Sequence, residues 1–200
     1  EELPHLPNKY RAPVMLCHME GKTRQQAAAE LGVNETTEKG RPEGGREDMH
    51  AFLHEALFDP LGMRSATVRF DAAGTFIGSS YVFATARDFA RFGLLFLRDG
   101  VWDGRRILPE GWADHGRTPT PASDGQYGAH WWLALHDPGI FVANGFNGQY
   151  VVVVPERDLV VVRLGVSTPE QRIPVVLGLR RLVEAFPRVS PDSRTPGPRG

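Results

Sequence analysis

The sequence predicts an α+β fold: a small helical segment, then a helical insert, an antiparallel sheet and a C-terminal helix. Three observations carry this. Phe89, Phe92, Leu95 and Phe96 recur at three- and four-residue steps, the period of a helix with one buried stripe. Residues 150–164, YVVVVPERDLVVVRL, are two valine-rich runs separated by a short turn, the pattern of an antiparallel hairpin covered on both faces. Residues 174–186 return to helical spacing, with Val175, Val176, Leu179, Leu182, Val183 and Phe186 placed to cover one side of that sheet.

Composition bounds the function. Two hundred residues at 41% apolar content are enough for a packed core. A formal charge of −1 and the lack of any Lys/Arg run count against nucleic acid as a partner of the whole chain. The single cysteine, Cys17, excludes an internal disulfide and a cysteine-based metal cluster, and no cofactor is expected. The polar N-terminus has no apolar leader core and no segment reaches the length of a membrane span, so the chain as written is expected in the cytoplasm.

Residues 1–47 read as short helices. Gly21 separates an apolar cluster (Val14, Met15, Leu16, Cys17, Met19) from a segment that Thr23 caps and Gly32 closes, which is helix-turn-helix grammar. The wording LPNKYRAPVMLCHMEGKTRQQAAAELGV resembles the DNA-reading region 4 of extracytoplasmic-function sigma factors. Lys39, Arg41 and Arg46 are the candidate DNA-binding residues that this resemblance implies. Against them, Glu38 stands where an apolar residue should bury, and Pro42 and Gly44-Gly45 fall within the would-be recognition helix, where proline alone costs about 3 kcal/mol. A broken recognition helix is therefore expected.

A second region spans residues 48–187. Met49 to Phe58 is an amphipathic helix that Asp59-Pro60-Leu61-Gly62 ends. His50 and His54 share its spacing, but the glutamate and third ligand of a zincin motif are missing, so the pair reads as solvent-facing and no metal site is expected. Gly78-Ser79-Ser80 is a turn; Val82 fills the position where a nucleophile elbow needs glycine. Thr85 and Asp88 have capping-box spacing for the central helix, whose polar side is Arg87, Asp88, Arg91 and Arg98 and whose stop is Asp99-Gly100. Val101 to Leu108 is a turn between extended pieces, and Pro109 opens a short helix carrying Trp112. Strands are expected at 129–135, 139–143, 149–154 and 158–164, with His130 as a core or edge histidine. Residues 188–200, rich in Pro, Ser and Arg, form a disordered tail.

The phrases LFDPLGM (57–63), ATARDFARFGLLFLRDGVW (84–102), RILPEGW (106–112), QYGAHWW (126–132) and NGQYVVVVPERDLVVVRLG (147–165) resemble, in order and spacing, the C-terminal half of the β-lactamase-related serine hydrolases. That group includes class C β-lactamases, D-alanyl-D-alanine peptidases and esterases, often exported. The resemblance implies a partial β-lactamase-like fold and hydrolysis of an amide, lactam or ester through a serine nucleophile. Its chemistry uses an S-x-x-K pair, a Y-x-N tyrosine, and a Lys- or His-containing triplet ending in glycine. No serine here has lysine three residues on, and no tyrosine has asparagine two residues on. The third element falls on Gly145-Phe146-Asn147-Gly148-Gln149. There Phe146 replaces the cationic residue, and Asn147, Gly148 and Gln149 are the polar candidates for a pocket that takes a small acyl or peptide ligand. A plain Asn-Gly turn entering a strand explains the same letters.

Two expectations follow. The chain alone lacks the nucleophile and base, so little or no turnover is expected and no residue of it is expected to be catalytic. A sheet without further strands also exposes an edge that favours self-association. The alternatives are a transcription-associated DNA-binding protein and a ligand-binding pseudoenzyme.

Overall fold

The computed structural model describes residues 44–78, 80–133 and 139–189, and its backbone divides into two units. Described residues 44–49 and 70–78 belong to one unit, the remainder to the other. In the first, Asp71 nucleates a turn: Oδ1 accepts from the amides of Ala73 and Thr75 at 2.9 and 2.7 Å, and the Phe70 and Phe76 rings lie 6.0 Å apart.

Helix α1 (Gly44–Leu53) starts four residues before the expected boundary. Glycine costs little at a helix end, where amides have no internal partner in any case. A π-helical turn over His54–Phe58 and a last α turn over Asp59–Leu61 continue the helix past its expected stop. Pro60 is tolerated near the start of that closing turn, and Gly62, left-handed at φ 66°, ends it. A two-residue strand β1 (Thr67–Val68) then pairs antiparallel with β2 (Val82–Phe83).

Helix α2 (Ala86–Leu97) opens with the capping geometry that the sequence implied, Thr85 Oγ1 accepting from the Asp88 amide at 3.3 Å. One assignment fails. Asp88, placed on the polar side by spacing, is only 3% exposed, because Ser65 and Arg91 supply it with partners. At the other end Gly100 donates to Leu95 O at 2.7 Å with φ 80°, and a Cβ there would stand 2.6 Å from Leu108 Cβ, so only glycine fits. Strands β3 (Val101–Trp102) and β4 (Arg105–Arg106) close a hairpin across Asp103-Gly104, both left-handed. Helix α3 (Trp112–Arg117) begins three residues after Pro109. Its cap comes from a distance: the Asp99 carboxylate accepts from the amides of Gly111 and Ala113 at 3.0 and 3.4 Å.

The sheet has the order β5 (Phe141–Asn144), β6 (Tyr150–Val154), β7 (Leu159–Arg163), all antiparallel. Of the expected strand at 129–135, residues 134 and 135 lie outside the described residues, and over 129–133 there is a single bridged residue, Trp132, opposite Tyr127 and Val142, since His130 turns left-handed at φ 68° and interrupts the extended run. Every residue of β6 is buried, which accounts for its unbroken valines. Tyr150, Val152 and Val154 face helix α4 (Pro169–Glu184) through Leu179 and Val183; Val153 faces Phe96, Ala113 and Trp131 on the opposite side. Helix α2 lies close on that second face. A Cβ on Gly93 would come within 2.6 Å of Val160 Cγ1.

Helix α4 starts at Pro169, five residues before its expected start at Pro174. The reason is a reciprocal capping box between Thr168 and Gln171, which sets the N-terminus and leaves Pro174 inside the helix. The first two residues of the expected tail are held in place: Arg188 reaches Glu156 Oε2 at 3.1 Å and the Val189 amide donates to Glu156 O at 2.8 Å. Residues 190–200 lie outside the described residues.

Candidate functional site

The register Asn144↔Tyr150 makes residues 145–149 the connecting turn of the β5–β6 hairpin. Gly145 donates to Gln149 O at 2.8 Å, and Gly148 at φ 83° closes the reversal. The Gln149 side chain folds back, its Oε1 accepting from the Asn147 amide at 3.1 Å. This uses the space a side chain on Gly145 would need, since a Cβ there would lie 2.7 Å from Gln149 Oε1.

The four pocket candidates therefore share one turn but differ in setting. Gly148 is buried, and Asn147 and Gln149 are half-buried. Phe146 is 87% exposed at the tip, where the Arg172 guanidinium sits 5.9 Å from its ring centroid and donates to Phe146 O at 2.8 Å. Among the described residues nothing hydrogen-bonds the Asn147 side-chain amide. It is a polar group of the turn available to a ligand.

Two partners escaped the sequence reading. Arg163, at the end of β7, donates to Gly148 O at 2.5 Å, Gly165 O at 2.6 Å and Ser167 Oγ at 2.9 Å. Ser167, only 5% exposed, donates its amide to Asn147 O at 2.8 Å. The signal available was Arg163 itself, a charge ending an otherwise apolar strand.

Three of the four described serines, Ser65, Ser123 and Ser167, carry structural hydrogen bonds on their hydroxyls, and the fourth, Ser80, is exposed. Ser65 Oγ donates to Asp88 Oδ2 at 2.5 Å and accepts from the Thr85 amide at 2.9 Å. Burial raises the Asp88 pKa, but the hydrogen bonds from the Ser65 hydroxyl and amide and from Arg91 outweigh it and hold the carboxyl below its ordinary value. Ser123 Oγ donates to the carbonyls of Thr120 and Tyr127 at 2.8 and 2.9 Å. The three lysines of the chain, Lys9, Lys22 and Lys39, lie outside the described residues, so among the described residues no lysine stands beside a serine.

The remaining candidates belong to other stretches of the sequence. His54 Nδ1 is 3.1 Å from Asp59 Oδ1 and its ring lies 4.7 Å from His50; no group of three metal-ligating side chains occurs among the described residues. Lys39 and Arg41 lie outside the described residues, and Arg46 belongs to the first turn of α1. No helix among the described residues is long and apolar enough to cross a membrane.

A beta-lactamase family model matches residues 25–181, and a model of sigma-70 region 4 matches residues 1–39. The chain is 32% identical over 114 residues to the 6-aminohexanoate-dimer hydrolase of Paenarthrobacter ureafaciens, a stretch covering 50% of this chain and 29% of that protein. A solved Bacillus anthracis protein, assigned as a 6-aminohexanoate-dimer hydrolase, superposes with TM-score 0.57 at 27% identity, covering 68% of this chain and 39% of that one. A Bacteroides dorei DSM 17855 protein assigned as a beta-lactamase gives TM-score 0.51 at 15% identity over 81% of this chain and 54% of its own, a likeness of fold alone. The chain thus spans between under a third and about half of the lengths of these relatives.

Proposed function

The chain belongs to the beta-lactamase family, and from that premise we propose that it supplies the sheet side of a hydrolase pocket, binding an amide or acyl ligand at residues 145–149 without turning it over by itself. The observation that carries this is the state of the serines. Ser65, Ser123 and Ser167 spend their hydroxyls on a carboxylate, backbone carbonyls and a guanidinium, and no lysine stands among the described residues to take a proton. Asp88, the carboxylate that Ser65 reaches, is held despite its burial below its ordinary pKa by Ser65 and Arg91, and a serine hydroxyl without an effective base is a poor nucleophile at neutral pH.

The relative of 32% identity is named for the 6-aminohexanoate dimer, and this makes that dimer the first ligand to try. Its carboxylate and amide groups suit the Asn147 side chain and the adjacent amides. Calorimetric titration of the 200-residue chain with the dimer tests the reading: saturable binding that an Asn147→Ala substitution weakens supports it, and no binding to the wild-type chain contradicts it.

A second reading rests on a separate observation, the match of residues 1–39 to sigma-70 region 4. On that reading Lys39, Arg41 and Arg46 contact DNA. A gel shift that weakens steeply with salt and disappears in the Arg41→Ala, Arg46→Ala double variant supports it; a shift that the double variant leaves intact contradicts it. On either reading the outer edge of β7, which carries no further strand among the described residues, favours self-association.

A further inference from the structure

The turn at residues 145–149 does not hold its shape through hairpin bonds alone. Its Gly148 carbonyl points at Arg163 and its Asn147 carbonyl at the Ser167 amide, so two of its three central carbonyls are bound by the last residue of β7 and the segment that follows it. The third, Phe146 O, is bound by Arg172 from α4. Gly148 also approaches this segment closely, since a Cβ added to it would meet Ser167 Oγ at 3.1 Å and an Arg163 nitrogen at 3.3 Å.

We infer that Arg163 and Ser167 are positioning residues, which fix the backbone of the turn and through it the direction in which Asn147 is presented. The inference rests on the proposed ligand-binding role of the turn for its functional meaning and on geometry for its mechanism. A planar guanidinium fits the task. Arg163 spans three acceptors on three residues at once, two carbonyls and a hydroxyl, through its two terminal nitrogens. An ammonium offers its donors from one point and does not reach all three. Because Ser167 is buried and takes one of these donors, its hydroxyl sets which way the guanidinium plane faces. The segment 163–167 and the turn therefore move together, and a ligand seated on Asn147 is read by a frame built from β7.

Backbone amide hydrogen exchange followed by NMR on the full chain tests this without any ligand. In Arg163→Gln, exchange at the amides of Ser167 and Gly148 is expected to rise on the order of tenfold, with those of Val152 and Val153 unchanged. Arg163→Lys is expected to recover less than half of that protection. Ser167→Ala, the milder variant, is expected to give a smaller rise at the same amides, and it decides the matter if the arginine variants fail to fold. Wild-type exchange at the turn in both Arg163→Gln and Ser167→Ala would overturn the inference, as would equal loosening of the whole sheet. Titration of the same variants with the 6-aminohexanoate dimer keeps the two ideas apart. Failure of the wild-type chain to bind it defeats the ligand reading, while the exchange pattern still decides whether Arg163 and Ser167 hold the turn.

Discussion

Ser65 and Asp88 meet across the start of helix α2: the serine hydroxyl lies 2.5 Å, and its amide 2.9 Å, from the same carboxylate oxygen. Arg91 occupies the other oxygen, and Thr85 bonds to Ser65 as well as to the amide of Asp88. A serine that resembles a free hydroxyl in the sequence is thus the joint between the loop after α1 and the cap of α2. Replacing it by alanine leaves a buried carboxylate short of a donor, and Ser65→Ala is expected to destabilise the chain by about 2 kcal/mol, read by urea unfolding.

The same carboxylate gives a pH dependence of known sign. Its folded pKa lies below the ordinary aspartate value, so its contribution to stability is present above that value and is lost as the pH falls through the folded pKa. Wild-type stability is expected to fall on acidification below pH ~4 more steeply than that of Asp88→Asn. Equal slopes for the two proteins would show that the network contributes nothing.

Two helix glycines are expected to answer alanine in opposite ways. At Gly93 a Cβ would lie 2.6 Å from Val160 and 3.0 Å from Val151, so Gly93→Ala forces α2 off the sheet and costs about 1–3 kcal/mol despite the better helix former. At Gly178 nothing lies within 4 Å, and Gly178→Ala is expected to stabilise by roughly 0.5–1 kcal/mol. Thermal melts of the two variants check both signs.

Much of the fold was legible because it follows local rules. The α2 stripe and its Thr85 cap, the Asp103-Gly104 hairpin and the buried valines of β6 each declare themselves within a few residues. What was missed depends on partners distant in sequence. Asp88 looked solvent-facing until Ser65, 23 residues away, was brought to it; α3 starts where Asp99 caps it; His130 breaks a run that its neighbours read as strand. The start of α4 was legible in Thr168 and Gln171, but the proline rule pointed at Pro174 instead. The candidate turn itself was found by its Asn-Gly letters. Its fastening by Arg163 and Ser167 was not, because no motif joins residues on opposite sides of a β-hairpin.

Helix α4 exposes Ile173 at 72% and Leu177 at 51%, one turn apart. If this face supports self-association, the Ile173→Lys, Leu177→Lys double variant is expected to remain monomeric at concentrations where the wild-type chain grows in mass by light scattering. A wild-type chain that stays monomeric over the same range would remove the basis for that proposal.

Intact-mass analysis of the chain after incubation with a penicillin and with an activated ester, alongside turnover of a chromogenic cephalosporin, tests the central claim most directly. Unchanged mass and no turnover are the expected result, because Ser65, Ser123 and Ser167 are committed to structure and no lysine stands beside a serine among the described residues. One stoichiometric acyl adduct on a serine, accompanied by turnover, would contradict the account.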